Sequence, residues 1–116
     1  MKKRLILGIV FLLLLGFSSV AFAGAQDFTL INQTGSDIHY VFIAPHTSND
    51  WGSDVMGRDV LPNGGAVDIL FSPGEKATYW DIRVEYMDGT YQEWENFNLK
   101  QIHKITIEKN GDAFYE

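Results

Sequence analysis

Asp50, Asp54 and Asp59 fall within ten residues of one another, in a stretch that also carries Ser48, Asn49, Trp51 and Ser53. A calcium ion takes about six to eight oxygens from carboxylates and carbonyls, and a loop of this composition can curl around one. The residue types fit calcium, but the spacing departs from the common calcium-loop pattern, which wants alternating acids and a closing Glu. The competing reading is that these Asp side chains bond neighbouring amides in local turns and solvate the loop. Trp51 shares the loop and has no periodic reason to be buried, so its ring is a candidate platform for a sugar face. Trp80 and Trp94 sit in strand-like patterns and are expected in the core.

Other constellations are weaker. His39, His46 and His103 suit zinc as residue types, yet no two have a short liganding spacing, and His103 is expected to share a packed face with Ile105 and Ile107. Ser53 lacks the Gly-x-Ser-x-Gly elbow of a hydrolase. Glu93 and Glu95 lie two apart on a strand, about 7 Å by rise alone, and read as a solvated face rather than a glycosidase pair. Arg83 stands between Asp81 and Glu85 on an outward face. It pairs locally there or, if the long loop covers the face, forks onto Asp54 or Asp59.

The elements positioning these residues read as β throughout. From Asp27 onward apolar residues recur at a period near two between Gly, Asn, Asp and Pro, and no capped 3.6-residue period occurs. Strands are expected over 28–32 and 37–44, joined by a tight hairpin at Gln33-Thr34-Gly35, with the second strand central. A long connection over 45–59 follows. Val67, Ile69 and Phe71 point inward on the next strand, and Trp80, Ile82, Val84 and Tyr86 on the one after, with Asp81, Arg83 and Glu85 in solvent. Asp88-Gly89 predicts a hairpin into 90–99, where a bulge near Glu95-Asn96 restores the facing of Trp94 and Phe97. A strand over 101–109 and a turn at Gly111 complete a single antiparallel β-sandwich or small barrel of six to seven strands.

Lys2, Lys3 and Arg4 precede an apolar run over 5–15 and the small-residue pattern Ala21-Phe22-Ala23. This is the pattern of an export signal cleaved after Ala23, or alternatively after Ala25, leaving 24–116 as one all-β domain. The apolar stretch of about 16 residues is shorter than the roughly 20 a membrane span needs, so no span is expected after cleavage. The 116-residue chain holds 9 basic and 15 acidic residues; without the first three cations, six face fifteen, a net charge of −9. Such a charge repels nucleic acid. The absence of Cys excludes thiol catalysis, zinc–thiolate sites and disulfides.

The series Phe28-Thr29-Leu30, Asn32, Thr34-Gly35, Ile38, Trp51-Gly52, Asp54, Gly57, Leu61, Trp80-Asp81-Ile82-Arg83-Val84, Tyr86, Asp88-Gly89, Trp94 and Leu99 resembles a group of small exported bacterial proteins. The Trp-Gly-x-Asp and Asp-Ile-Arg-Val pieces are its most specific parts. The resemblance implies a single all-β domain and carries no activity, cofactor or catalytic residue. Some members of the group carry two cysteines near the places held here by Tyr79 and Lys100, so any bridge between them is absent.

The sequence therefore leads to a non-enzymatic domain in the periplasm or medium, binding a protein or glycan partner or the envelope. A calcium- or carbohydrate-binding domain built on the 45–59 loop is the alternative. The candidate ligand residues are Trp51, Asp50, Asp54, Asp59 and Arg83; the three Asp residues are the candidate calcium ligands.

Overall fold

The computed structural model describes residues 7–10, 26–72 and 74–116. The rest of the expected leader, including its Ala21-Phe22-Ala23 cleavage pattern, and Pro73 lie outside the described residues.

Among the described residues there are eight strands: β1 Leu7–Val10, β2 Phe28–Gln33, β3 Ile38–Pro45, β4 Ala66–Phe71, β5 Tyr79–Tyr86, β6 Tyr91–Asn98, β7 Lys104–Glu108 and β8 Ala113–Tyr115. They form two sheets, in the orders β1-β4-β2-β7-β8 and β3-β5-β6. The sheets pack face to face as a sandwich without closing into a barrel. β1 falls inside the segment expected to be the leader, where it pairs antiparallel with β4. The next described residues, Gln26 and Asp27, are both buried, and Asp27 accepts a 2.7 Å bond from Phe71 N.

The period-two pattern places the core as expected. Phe28 and Leu30 of β2, Val67 and Ile69 of β4 and Ile105 and Ile107 of β7 meet Val41, Ile43, Trp80, Ile82 and Val84 of the other sheet, all essentially inaccessible. Across the gap the Phe71 and Trp80 rings meet edge to face, 4.8 Å apart at 75°. Each large apolar side chain sealed here stabilises the fold by about 1.5–3 kcal/mol. The Asp88-Gly89 hairpin forms between β5 and β6, with Gly89 at φ 87°. Bonds from the Thr90 hydroxyl and amide hold the Asp88 carboxyl below its ordinary pKa range.

Three expectations are corrected. Residues 33–37 are not a hairpin, because β2 and β3 belong to different sheets. The segment is a corner built around Asn32, whose buried carboxamide donates to Ser36 O and Leu61 O and accepts from Thr34 N and Oγ1. Next, the sandwich is not wholly antiparallel: β2 runs parallel to β7, from Thr29 opposite Lys104 to Gln33 opposite Glu108. The chain leaves the first sheet after β2 and spends β3, β5 and β6 in the other, which provides the crossover that parallel neighbours require.

Finally, β3 lies at the margin of its sheet. Its outer edge is covered by the connection that follows it. Val55 N donates to Val41 O at 2.8 Å, Val41 N donates to Asp54 Oδ1 at 2.8 Å, and Ile38 and Leu61 exchange both backbone bonds. An open edge offers unpaired amides and carbonyls to other chains, so this loop shields the sandwich against edge pairing.

Candidate functional site

The covering role accounts for much of the polar loop. Asp54 Oδ1 also accepts Met56 N at 3.0 Å. Asp50 Oδ1 accepts Gly52 N at 2.9 Å in a local turn, and Asp59 is exposed with its amide donating to Met56 O. Trp51 is half-buried within the loop. The three acids do not converge: among the described residues the one group of three His, Asp or Glu side chains placed to share an ion is His46, Asp81 and Glu95. The histidines do not gather either, and His103 is exposed rather than packed with Ile105 and Ile107.

Burial pushes the Asp54 carboxyl above its ordinary pKa, against the lowering effect of its backbone bonds. A carboxyl whose folded pKa exceeds its unfolded one opposes folding at neutral pH, and that cost fades as pH falls toward the raised value. Asp54→Asn keeps the accepting oxygen and removes the charge, so its melting temperature should match or exceed wild type at pH 7. Asp54→Ala leaves the amides of Val41 and Met56 without their acceptor and should cost about 1–3 kcal/mol by urea denaturation.

The residues with unassigned chemistry collect instead on the outer face of the β3-β5-β6 sheet, away from the core. Strand register sets them in three rungs: Tyr40, Glu85 and Tyr91; then Phe42, Arg83 and Glu93; then Ala44, Asp81 and the bulge at Glu95-Asn96. Tyr40 and Tyr91 are about half exposed, and Tyr79 at the same end as the third rung is equally open. Tyr40 stacks on Phe42 with centroids 6.5 Å apart.

Arg83 is fixed at the centre. It donates from Nε to Glu85 at 2.9 Å and from a terminal nitrogen to Glu93 at 2.6 Å, and its guanidinium lies 3.7 Å from the Tyr91 ring centroid. Burial works against the charge, and the bonds to Glu93 and Glu85 more than offset it, raising the Arg83 pKa. Arg83 thus follows the local-pairing reading, and its contacts run to Glu85, Glu93 and Tyr91 rather than to Asp54 or Asp59. Beside the Tyr91 rim lies a hollow of about 700 Å³ between the 34–37 corner and the β5–β6 hairpin, bordered by His39 and Lys109.

On the third rung Asp81 is fully buried, where alternation had placed it in solvent. The bulge is the reason: Glu95 and Asn96 together oppose Asp81, Asn96 takes φ 65°, and its amide donates to Asp81 Oδ1 at 3.0 Å. His46, one residue past β3, brings Nδ1 to 2.9 Å from Asp81 Oδ1 and 3.7 Å from Glu95 Oε1.

No protein-family model matches the chain, no curated protein matches it, and no solved structure matches it. Among the described residues no helix is long and apolar enough to cross a membrane.

Proposed function

We propose that the protein is an exported, non-enzymatic carbohydrate-binding domain that acts through the outer face of its three-stranded sheet. Export rests on the basic, apolar and small-residue pattern of the first 23 residues, which directs the folded part to the periplasm or medium. The kinship with small exported bacterial β-proteins, drawn from the Trp-Gly-x-Asp and Asp-Ile-Arg-Val series, belongs to the same reading.

The observation that carries it is the three-rung face, where the half-exposed rings of Tyr40 and Tyr91 flank a guanidinium held by two carboxylates. A sugar presents C–H faces that stack on such rings and hydroxyls that bond fixed charged groups. A protein partner would favour an apolar centre depleted of charge, and here the centre is Arg83 with Glu85 and Glu93. The acidic balance disfavours polyanions and leaves neutral or cationic glycans as the substrate class.

The test is co-sedimentation of the purified protein with insoluble chitin particles, a neutral glycan. The wild type should pellet with them, and a Tyr40→Ala/Tyr91→Ala variant with unchanged circular dichroism should lose about tenfold or more in apparent affinity. Equal partition of the two proteins would sink the reading. The calcium alternative on the 45–59 loop is the second reading; against it, Asp50 and Asp54 accept amides of Gly52, Val41 and Met56, and Asp59 is exposed.

A further inference from the structure

We propose that His46, Asp81 and Glu95 form a site for one divalent transition-metal ion of the zinc class. Three separate strands deliver the ligands: the end of β3, the middle of β5 and the bulge of β6. The three ligand atoms lie within 4.8 Å of one another, with Nδ1 of His46 at 2.9 Å from Asp81 and 3.7 Å from Glu95. Zinc bonds to nitrogen and oxygen of about 2.0–2.2 Å put tetrahedral ligand atoms about 3.3–3.5 Å apart. The observed separations bracket that value, and the exposed Glu95 side chain has the freedom to close the difference.

The surroundings are those of a held ligand set. Asp81 is sealed from solvent and oriented from the backbone by the Asn96 amide, and His46 is fixed through its own amide, which donates to Tyr79 O at 2.9 Å. Outer contacts of this kind, which aim the ligands, are what metal affinity depends on beyond the ligands themselves. Two carboxylates converge on a single imidazole, and a dication balances their charge. A carboxylate can only accept, so a neutral His46 places its proton on Nδ1 in the metal-free site, and ligation through Nδ1 requires the other tautomer, with the proton on Nε2. The mixed nitrogen and oxygen set selects zinc-class ions over calcium and magnesium, which prefer oxygen alone. The His46 and Glu95 side chains are 38% and 60% exposed, so the fourth coordination position opens outward beside the sheet face.

Calorimetric titration of the metal-free full chain with zinc chloride tests this independently of any glycan. The expected result is one ion per chain, with His46→Gln and Glu95→Gln each weakening binding by at least about tenfold. Both positions are open to solvent, so these variants should melt close to wild type without metal, and Asp81, whose loss endangers folding, need not be altered. A His39→Gln/His103→Gln variant should bind like wild type, and calcium chloride should give no saturable heat. Absence of zinc binding into the millimolar range, binding undiminished in His46→Gln and Glu95→Gln, or binding that disappears with His39 and His103 would each overturn the assignment.

Discussion

Trp80→Ala should remove about 3–5 kcal/mol from the unfolding free energy, the usual cost of deleting a large buried ring. Trp80 is completely buried, its edge meets Phe71 of the opposite sheet at 4.8 Å, and its neighbours on β5 are Ile82 and Val84. Domains of this size hold about 5–15 kcal/mol in total, so the variant should lose roughly 15–30 °C in melting temperature. A drop of less than 5 °C would mean that the two sheets are not joined through this ring.

Trp80→Phe separates packing from polarity. The indole Nε1 donates to Gln26 Oε1 at 2.7 Å, and Gln26, 3% exposed, donates in turn to Glu75 O. Phe keeps most of the ring contact and leaves the Gln26 carbonyl without that donor, at about 1–3 kcal/mol. Hydrogen exchange should then accelerate first around Gln26 and Asp27.

The features legible in the sequence are those set by nearest neighbours. Alternation placed Val67, Ile69, Trp80, Ile82 and Val84 in the core because strand side chains point to opposite faces whatever the topology. Asp88-Gly89 marked its hairpin because only a few residues tolerate positive φ, and the broken alternation after Trp94 located the bulge. What depended on partners distant in sequence was misread. The Gln33-Thr34-Gly35 turn has hairpin chemistry, yet nothing local states that the next strand joins the other sheet. The acids of the 45–59 loop looked like ion ligands because the edge of β3, which Asp54 serves, is defined only in three dimensions.

The His46, Asp81 and Glu95 cluster was half legible. Counting back from the Asp88-Gly89 hairpin through the bulge brings Glu95 opposite Asp81 by register alone. His46 could not be added, because its place depends on β3 lying beside β5, a pairing across about 35 intervening residues. The same holds for the aromatic face: Tyr40 and Tyr91 sit 51 positions apart and meet on one rung only through β5.

Asn32 offers the sharpest test of how the corner between the sheets is held. Its side chain is fully buried and makes four bonds: two donated, to Ser36 O at 2.8 Å and Leu61 O at 3.0 Å, and two accepted, from Thr34 N at 2.9 Å and Thr34 Oγ1 at 2.7 Å. Its backbone is tied as well, to Gly64 and Gly65 of the turn leading into β4. Asn32→Ala leaves Thr34 N without its acceptor in the interior, whereas Leu61 O keeps its bond from Ile38 N, so the variant should cost about 1–3 kcal/mol. Asn32→Asp has nearly the same shape and keeps both accepted bonds, but turns the donating edge into a second acceptor facing two carbonyls in a dry site. Burial and those carbonyls raise its folded pKa above the unfolded value, so the penalty is largest at neutral pH and shrinks as the carboxyl takes up a proton that can donate to Leu61 O. Urea midpoints measured against wild type at pH 7 and pH 4 should therefore converge for Asn32→Asp and stay equally far apart for Asn32→Ala. Parallel behaviour of the two variants would show that the corner depends on the shape of the Asn32 side chain and not on the direction of its hydrogen bonds.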